Sequence, residues 1–485
     1  MSETTATTAH LTSDPAVDHG ARNRLVITLL LISTFVVILN ETIMGVAIPQ
    51  LMKDLRITAG AAQWLTGAFM LTMAVVIPIT GFLLQRFNTR TVFIAAMSLF
   101  SAGTLFAALA PGFELLVLAR IVQASGTAIM IPLLFTTVLT LVPAESRGRV
   151  MGNISIVISV APAIGPIISG LIINFLNWRW MYFFVLPIAI TALVIGYLRV
   201  PNVTEPRKTS IDVLSVILSA FGFGGLVFGL SNVGTAGINA VQSWLPLTVG
   251  VLGITMFILR QLHLQKSDSA LLDLRTFKGR TFTFAVAMLG ISMIALFGTF
   301  ILLPIYTQNV LQLDPFATGM LLLPGGLIMG LLAPPVGRLY DRIGPRLLVV
   351  SGSIVVSTAV WGMTLLTAST PSWWVLVAHV TLSIGLALVF TPLFSAGLGD
   401  VPPHLYSHGS AVVGTLQQLA GAAGVALFIT VMSATLVREM GQGVSEITAT
   451  AHGIHGAFVV GAIISLIAIP LAFMIRKPEQ QPGEH

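Results

Sequence analysis

The sequence predicts an all-α integral membrane protein with fourteen transmembrane helices, arranged as two six-helix halves and two inserted helices. The first observation is composition: 55% of the 485 residues are hydrophobic and only 9% are charged, whereas soluble domains carry about 25% charged residues. The second and third observations are fourteen apolar stretches and an internal repeat. So little charge excludes a soluble enzyme, a nucleic-acid-binding domain and a disordered scaffold. The chain contains no cysteine, which excludes disulfides and thiolate metal sites.

Each apolar stretch is long enough to cross a bilayer, which takes about 20 residues of helix. The first follows Arg22 and Arg24 and is too long for the apolar core of a secretion signal, so we expect it to be retained. The spans are predicted at residues 25–49, 60–84, 91–110, 113–138, 148–174, 180–200, 212–231, 245–263, 282–306, 316–338, 346–368, 373–399, 408–433 and 455–475.

The positive charges lie almost entirely in alternate loops. With the N-terminus in the cytoplasm, 19 of the 24 Lys and Arg residues fall on the cytoplasmic side, four on the other side, and Arg120 inside a span. Cytoplasmic loops of membrane proteins hold an excess of Lys and Arg. The pattern predicts a multi-pass protein of the bacterial inner (cytoplasmic) membrane with both termini in the cytoplasm.

Five residues at the end of the second span recur at the end of the tenth. Each is displaced by 256 residues, so that Pro78, Gly81, Leu83, Arg86 and Arg90 return as Pro334, Gly337, Leu339, Arg342 and Arg346. Matching places in the topology indicate duplication of a six-helix unit. We therefore divide the chain into an N-terminal tail, an N-terminal half, two inserted helices with their loops, a C-terminal half and a C-terminal tail, at residues 1–24, 25–200, 201–281, 282–476 and 477–485.

The two repeated segments resemble the signature loop of the major facilitator superfamily, Gly-x-Leu-x-Asp-Arg-x-Gly-x-Arg. The second copy fits more fully, because Gln85 replaces the aspartate and Asn88 the second glycine in the first copy. Asp341 keeps the carboxylate that would cap a neighbouring helix or pair with an arginine. The residues assigned to the two signature loops are Gly81, Arg86, Arg90, Gly337, Asp341, Arg342 and Arg346.

Four further segments resemble the fourteen-helix drug:proton antiporter family of that superfamily. Residues 120–126 are similar to its Arg-x-x-Gln-x-x-Gly motif, and residues 161–170 to its antiporter motif, with Ala161 and Ser169 in place of glycines. Residues 39–49 and 177–180 resemble its first span and its approach to span six. The variant Asn-Glu-Thr in the first span is similar to the lincomycin-resistance-like branch. The resemblance implies proton-coupled export by alternating access.

Charged residues inside a span are costly and are therefore functional candidates. Of the 18 acidic residues, only Glu41 lies well inside a predicted span, and Arg120 lies at a similar depth in span four. An apolar cavity favours a protonated carboxyl group, and a nearby arginine favours an ionised one. A change in their separation would load or release a proton, so we predict that Glu41 and Arg120 couple transport to protons. A static ion pair that only joins the two spans is the alternative.

Other residues are candidates for the gate and the cavity. Gly165 and Pro166 are expected to interrupt the hydrogen bonding of span five, and Gly170 adds a small residue where another helix can approach. We assign these three to a gate against proton leakage, with close packing as the alternative. The polar residues expected to line the substrate cavity, or alternatively to bond between helices, are Asn40, Gln123, Gln308, Asn309 and Gln417.

The leading hypothesis is a multidrug efflux antiporter that exports hydrophobic neutral or monocationic compounds. The alternatives are a proton-driven exporter of a metabolite, amino acid or lipid precursor, and a non-transporting membrane scaffold or sensor. No lysine stands in a Gly-x-x-x-x-Gly-Lys-Ser/Thr setting and no metal-ligand motif is present, so we predict no enzymatic activity, no metal and no cofactor. The expected partners are small hydrophobic molecules, protons and the lipid bilayer, without nucleic acid, and we expect a monomer.

Overall fold

The computed structural model describes residues 19–203, 206, 211–232 and 240–478, and these residues contain fourteen long helices and no strand. All fourteen are long and apolar enough to cross a membrane, which confirms the predicted fold class. The helices are α1 (His19–Leu55), α2 (Ala59–Arg86), α3 (Thr89–Leu109), α4 (Phe113–Leu141), α5 (Arg147–Phe175), α6 (Arg179–Arg199), α7 (Val213–Asn232), α8 (Ala240–Leu264), α9 (Arg280–Ile305), α10 (Pro315–Ile343), α11 (Pro345–Met363), α12 (Ser372–Gly399), α13 (Tyr406–Met440) and α14 (Glu446–Ala472).

Several helices extend beyond the apolar stretches that predicted them. The largest difference is at α14, which begins at Glu446 rather than at residue 455. Ser445 explains this start, because its hydroxyl accepts a hydrogen bond of 3.3 Å from the backbone N–H of Thr448 and so caps the helix. Most of the predicted tails, residues 1–18 and 479–485, lie outside the described residues.

The two halves repeat the same helix contacts. In the first half α3 packs on α4, α2 on α4, α1 on α5 and α3 on α6; in the second, α11 packs on α12, α10 on α12, α9 on α13 and α11 on α14. Each contact of the first half recurs in the second half between the two helices whose numbers are eight higher. This repetition is the structural counterpart of the signature loops and places α7 and α8 between two equivalent units.

The inserted helices form a hairpin that is closed by an ion pair. Asp212 accepts hydrogen bonds from the Arg260 guanidinium at 2.8 and 3.0 Å, and from the backbone N–H of Ser215 at 3.0 Å. The Arg260 guanidinium holds the pKa of the Asp212 carboxyl well below its usual range, and hydrogen bonds from Ser215 lower it further. The hairpin packs against both halves, because α7 contacts α2 of the first half and α13 of the second.

The halves meet mainly through α5 with α10 and α2 with α13. We call the end of the bundle where α2 and α10 finish and α5 and α13 begin the basic end, since Arg86, Arg147 and Arg342 lie there. The hydrogen bonds that join the halves near it include Thr136 to Ser410 at 3.2 Å and Thr391 to Ser155 at 2.9 Å. The two halves are therefore held together at the basic end.

Candidate functional site

Glu41 lies in the interior of the longest helix. It is half-buried, 22 residues after the start of α1 and 14 before its end. Among the described residues it is the only carboxylate this far from a helix end. Its neighbour Thr42 fixes α1 against α5, because a Cβ at Gly165 would lie 2.2 Å from the Thr42 hydroxyl oxygen. Only glycine at position 165 permits this approach.

Arg120 is enclosed beside α2 and is only 1% exposed. Its guanidinium donates to the side-chain oxygen of Gln123 at 2.7 Å and to the backbone oxygen of Leu65 at 3.4 Å, and it lies over the ring of Phe69, 4.1 Å from its centre. No ion pair joins it to Glu41 in the part of the chain that the structure describes, although the two charges are close enough for Coulombic interaction. The static ion pair considered from the sequence is not formed in this conformation.

Gln123 lies inside the protein rather than on an accessible cavity wall. It is 0% exposed, accepts from Arg120, and donates to the hydroxyl of Thr104 on α3 at 2.8 Å. Thr104 in turn donates to the backbone oxygen of Phe100 at 2.7 Å. In this conformation Gln123 orients Arg120, because every polar atom of its amide group is already occupied.

The other residues expected in the cavity are dispersed. Asn40 is 4% exposed, and its amide nitrogen has no hydrogen-bond partner among the described residues. Gln417 is half-buried on α13. Gln308 and Asn309 lie on a π-helical turn, Tyr306–Val310, that follows α9 at the end opposite the basic end; Gln308 is half-buried and Asn309 is exposed.

The antiporter motif does not break α5. The helix continues from Arg147 to Phe175 without interruption, since a proline removes only one backbone donor and neighbouring turns retain their bonds. Gly165 is buried against α1, whereas a Cβ at Gly170 would meet nothing within 4 Å. The side chain of Pro166 lies outside the described residues.

The two signature loops make different contacts with the opposite half. Asp341 caps the start of α5, where its two carboxylate oxygens accept from the backbone N–H groups of Gly148 and Arg149 at 2.9 and 3.0 Å. In the first loop the amide of Gln85 donates to the backbone oxygen of His404 at 3.1 Å. The carboxylate of the second loop is therefore a helix cap between halves, and the first loop substitutes a neutral hydrogen bond.

The remaining signature residues lie at the surface or hold a loop against the last helix of the same half. Arg86 and Arg342 are exposed. Arg90 donates to the backbone oxygen of Tyr197 at 2.6 Å and lies over its ring, and Arg346 lies 5.7 Å from the ring centre of Phe473. These contacts occupy equivalent places, because Tyr197 is in α6 and Phe473 directly follows α14.

The contact between α5 and α10 is tight at the basic end and is not made by the glycines nearest to the opposite end. A Cβ at Gly337 would lie 2.1 Å from the backbone oxygen of Gly148, and one at Gly326 would lie 2.4 Å from the Cβ of Ala163. Seven residues further along the same faces, a Cβ at Gly319 or Gly170 would meet nothing within 4 Å. The two helices therefore diverge beyond Gly326.

The α2–α13 pair behaves in the same way. A Cβ at Gly81 would lie 2.9 Å from the ring of His408, and Gln418 approaches the sulfur of Met73 at 3.9 Å. Further from the basic end, a Cβ at Gly67 would meet nothing within 4 Å. Both inter-half contacts are thus close at the basic end, whereas Gly67, Gly170 and Gly319, further from it, have open space beside them.

Three aromatic residues of the site were not predicted. Phe69 covers the Arg120 guanidinium; Tyr182, 2% exposed, donates to the sulfur of Met44 at 3.4 Å; and Tyr406 accepts from Arg147 at 3.1 Å across the two halves. Phe69 is one of 27 phenylalanines and follows no spacing that distinguishes it from lipid-facing ones. Only the packing of α2 against α4 identifies it.

Comparisons with known proteins agree with this architecture. A family model described as Major Facilitator Superfamily matches residues 30–425. The chain is 42% identical over 473 residues to the uncharacterized MFS-type transporter YcnB of Bacillus subtilis (strain 168), covering 96% of this chain and 99% of that protein. It is 41% identical over 457 residues to the lincomycin resistance protein LmrB of Listeria monocytogenes, covering 93% of this chain and 96% of that protein.

Solved structures resemble the fold at low sequence identity. The human organic anion transporter MFSD10 superposes with a TM-score of 0.66 at 15% identity, covering 93% of this chain and 99% of that chain. A double-Trp mutant of XylE superposes with a TM-score of 0.64 at 12% identity, covering 96% and 97%. At such identities the likeness concerns the fold alone.

Proposed function

The chain belongs to the Major Facilitator Superfamily, and from this premise we propose that it is a proton-coupled antiporter that exports hydrophobic neutral or monocationic compounds. It is a multi-pass membrane transporter of small molecules, and not an enzyme. Drug export is supported by the 41% identity to a protein named for lincomycin resistance. We place the basic end in the cytoplasm, because cytoplasmic loops hold most Lys and Arg residues.

The observation that carries the proposal is a closed basic end, with Glu41, a partly exposed residue, in the interior of α1. Close contacts across the halves are present as far as Gly326 and Gln418, whereas Gly319 and Gly67, further from the basic end, have no neighbour within 4 Å. Glu41 is half-buried while Arg120 is 1% exposed. With the basic end in the cytoplasm, a proton would enter at Glu41 from the outer side, with the enclosed Arg120 as a fixed positive charge near it. Alternating access would then release the proton on the cytoplasmic side.

The test of proton coupling is the substitution Glu41→Gln. Gln keeps the volume of the side chain but does not titrate, so efflux driven by an imposed pH gradient in proteoliposomes should fall to the level of empty vesicles. Glu41→Asp keeps a titratable group and should retain part of the efflux. The matched control is Asp54→Asn, an exposed acid on the same helix. Wild-type efflux in Glu41→Gln would contradict the proposal.

We infer the substrate class from the number of carboxylate side chains in the interior of the protein. A buried charge without a partner costs several kcal/mol even after relaxation of the protein. Glu41 is the only interior carboxylate among the described residues, so a dication would leave one positive charge uncompensated. We therefore expect lincosamide-like compounds and lipophilic monocations to be exported in preference to dications.

The test of this preference compares a monocation with a dication of the same skeleton. A pump-deficient bacterial host that expresses the chain should gain resistance to the monocation and little to the dication. Collapse of the proton gradient should remove this protection. Equal protection against the dication would contradict the substrate class, and would leave the test of Glu41 unaffected.

A further inference from the structure

We propose that a groove between α5 and α10 at the basic end binds the headgroup of an anionic phospholipid. The groove has a volume of about 410 Å³ and is lined by Arg149, Asn153, Pro334 and Arg338. Arg149 and Asn153 are one helical turn apart on α5, and Pro334 and Arg338 are one turn apart on α10. Each half of the protein therefore supplies one arginine to the groove.

The two guanidinium groups are available to a ligand. Arg149 and Arg338 are exposed, and no side-chain ion pair to either is present in the described ranges. Asp341, three residues after Arg338, interacts electrostatically with Arg149 and already accepts from the backbone N–H groups of Gly148 and Arg149. The two arginines outnumber this one acid, so the groove keeps a net positive charge and favours an anion, and arginine binds phosphate with two parallel hydrogen bonds. The exposed amide of Asn153 adds a further donor.

The surroundings of the groove favour a lipid over a free anion. Leu331 is 72% exposed and lies seven residues before Arg338, or about 10 Å along the helix, on the same face of α10. An apolar exposed surface next to basic groups near a helix end suits a headgroup in the groove with its acyl chains along α10. Basic pockets between helices on the cytoplasmic side are a recognised setting for anionic headgroups.

Binding at this place has a conformational consequence. Because the two walls belong to different halves, the arginines converge only while α5 and α10 are in contact at the basic end. A ligand that binds one conformation better shifts the population towards it. An anionic lipid would therefore stabilise the closed basic end, whereas a zwitterionic lipid would not.

The binding test uses the full-length protein purified in detergent, titrated with phosphatidylglycerol or phosphatidylcholine and examined by native mass spectrometry. We expect retention of phosphatidylglycerol, weakened by about tenfold or more in the double variant Arg149→Gln/Arg338→Gln. Arg149→Lys/Arg338→Lys keeps the charge and should retain most of the binding. Arg199→Gln removes an exposed arginine of the same end outside the groove and should change nothing.

Three results would overturn the proposal. The first is equal retention of phosphatidylglycerol by the double Gln variant and by Arg199→Gln. The second is equal retention of phosphatidylcholine and phosphatidylglycerol by the wild-type protein. The third is displacement of the lipid by millimolar inorganic phosphate, which would identify the groove as a site for a free anion.

A second measurement tests the conformational consequence. The chain contains no cysteine, so spin labels can be attached at Phe175→Cys and Phe316→Cys, two exposed positions at the open ends of α5 and α10. In nanodiscs, phosphatidylglycerol should raise the long-distance population relative to phosphatidylcholine, and the double Gln variant should lose this response. An unchanged distance distribution would overturn the conformational effect. Neither measurement requires transport, so a failure of the proposed substrate or proton coupling leaves both interpretable.

Discussion

The two contacts that close the basic end are related by the internal repeat, yet they are built differently. Where α10 meets α5, backbone lies against backbone at Gly337 and Gly148, and the Asp341 carboxylate caps α5. Where α2 meets α13, Gly81 lies against a histidine ring and Gln85 makes a neutral hydrogen bond. One contact leaves no room for adjustment, and the other is made of side chains that can move.

This difference indicates the order in which the basic end opens. Charge-assisted hydrogen bonds are roughly twice as strong as neutral ones, and close backbone contact cannot be adjusted by a rotamer change. We therefore expect the α2–α13 contact to loosen first, with α5 and α10 separating last. The duplicated halves would then act in sequence, because one signature loop has lost its carboxylate and the other has kept it.

The largest expected effect comes from adding a methyl group to each signature glycine. Gly337→Ala places a Cβ 2.1 Å from the Gly148 backbone oxygen and should destabilise the closed basic end by about 3 kcal/mol or more. Gly81→Ala meets the His408 ring at the longer distance of 2.9 Å and should cost clearly less. The distance between the labels at positions 175 and 316 reports both effects, and Gly319→Ala, with no neighbour within 4 Å, is the control. Equal shifts in the two variants would refute the proposed difference.

The second effect concerns the caps. Asp341→Asn removes a charged acceptor from two backbone N–H groups and should weaken closure by about 1.5–3 kcal/mol, whereas Gln85→Ala removes one neutral bond and should cost about 0.5–1.5 kcal/mol. The same pair of labels measures both variants. If Gln85→Ala has the larger effect, the loop without the carboxylate holds the closed end, contrary to our interpretation.

The third effect concerns a charge-assisted contact that lies inside the inserted hairpin and does not join the two halves. Asp212→Asn should lower thermal stability by about 1–2 kcal/mol and leave the label distance unchanged. Because the folded-state pKa of Asp212 is depressed, its stabilisation is present above the usual aspartate pKa and is lost as the pH falls below it. The difference in thermal stability between wild type and Asp212→Asn should therefore be largest at neutral pH and shrink progressively as the pH is lowered through the acidic range.

The smallest effect compares the last arginines of the two loops. Arg90 both bonds to the Tyr197 backbone and stacks on its ring, whereas Arg346 only stacks on Phe473. Arg90→Ala should cost about 1 kcal/mol and Arg346→Ala about half as much. Thermal unfolding of the two variants would detect the difference, and a reversed order would show that the stacking dominates.

The architecture was predictable from the sequence because hydrophobicity and loop charge act over whole spans. Fourteen helices and a repeated half follow from stretches such as residues 91–110 and from Arg86 and Arg342. The hydrogen-bond partners of the buried polar residues were not predictable, because they depend on which helix faces meet. Arg120 could be paired with Glu41 by depth, but its bond to the backbone of Leu65 depends on the rotation of α4 against α2.

A single interior carboxylate also sets the electrical character of the proposed cycle. If Glu41 carries one proton inwards, exchange for a monocation moves no net charge, whereas exchange for a neutral compound moves one positive charge into the cell. A membrane potential of 100 mV contributes about 2.3 kcal/mol per charge. Export of a neutral lincosamide would then be accelerated by a potassium-diffusion potential, negative inside, while export of ethidium would respond to the pH difference alone.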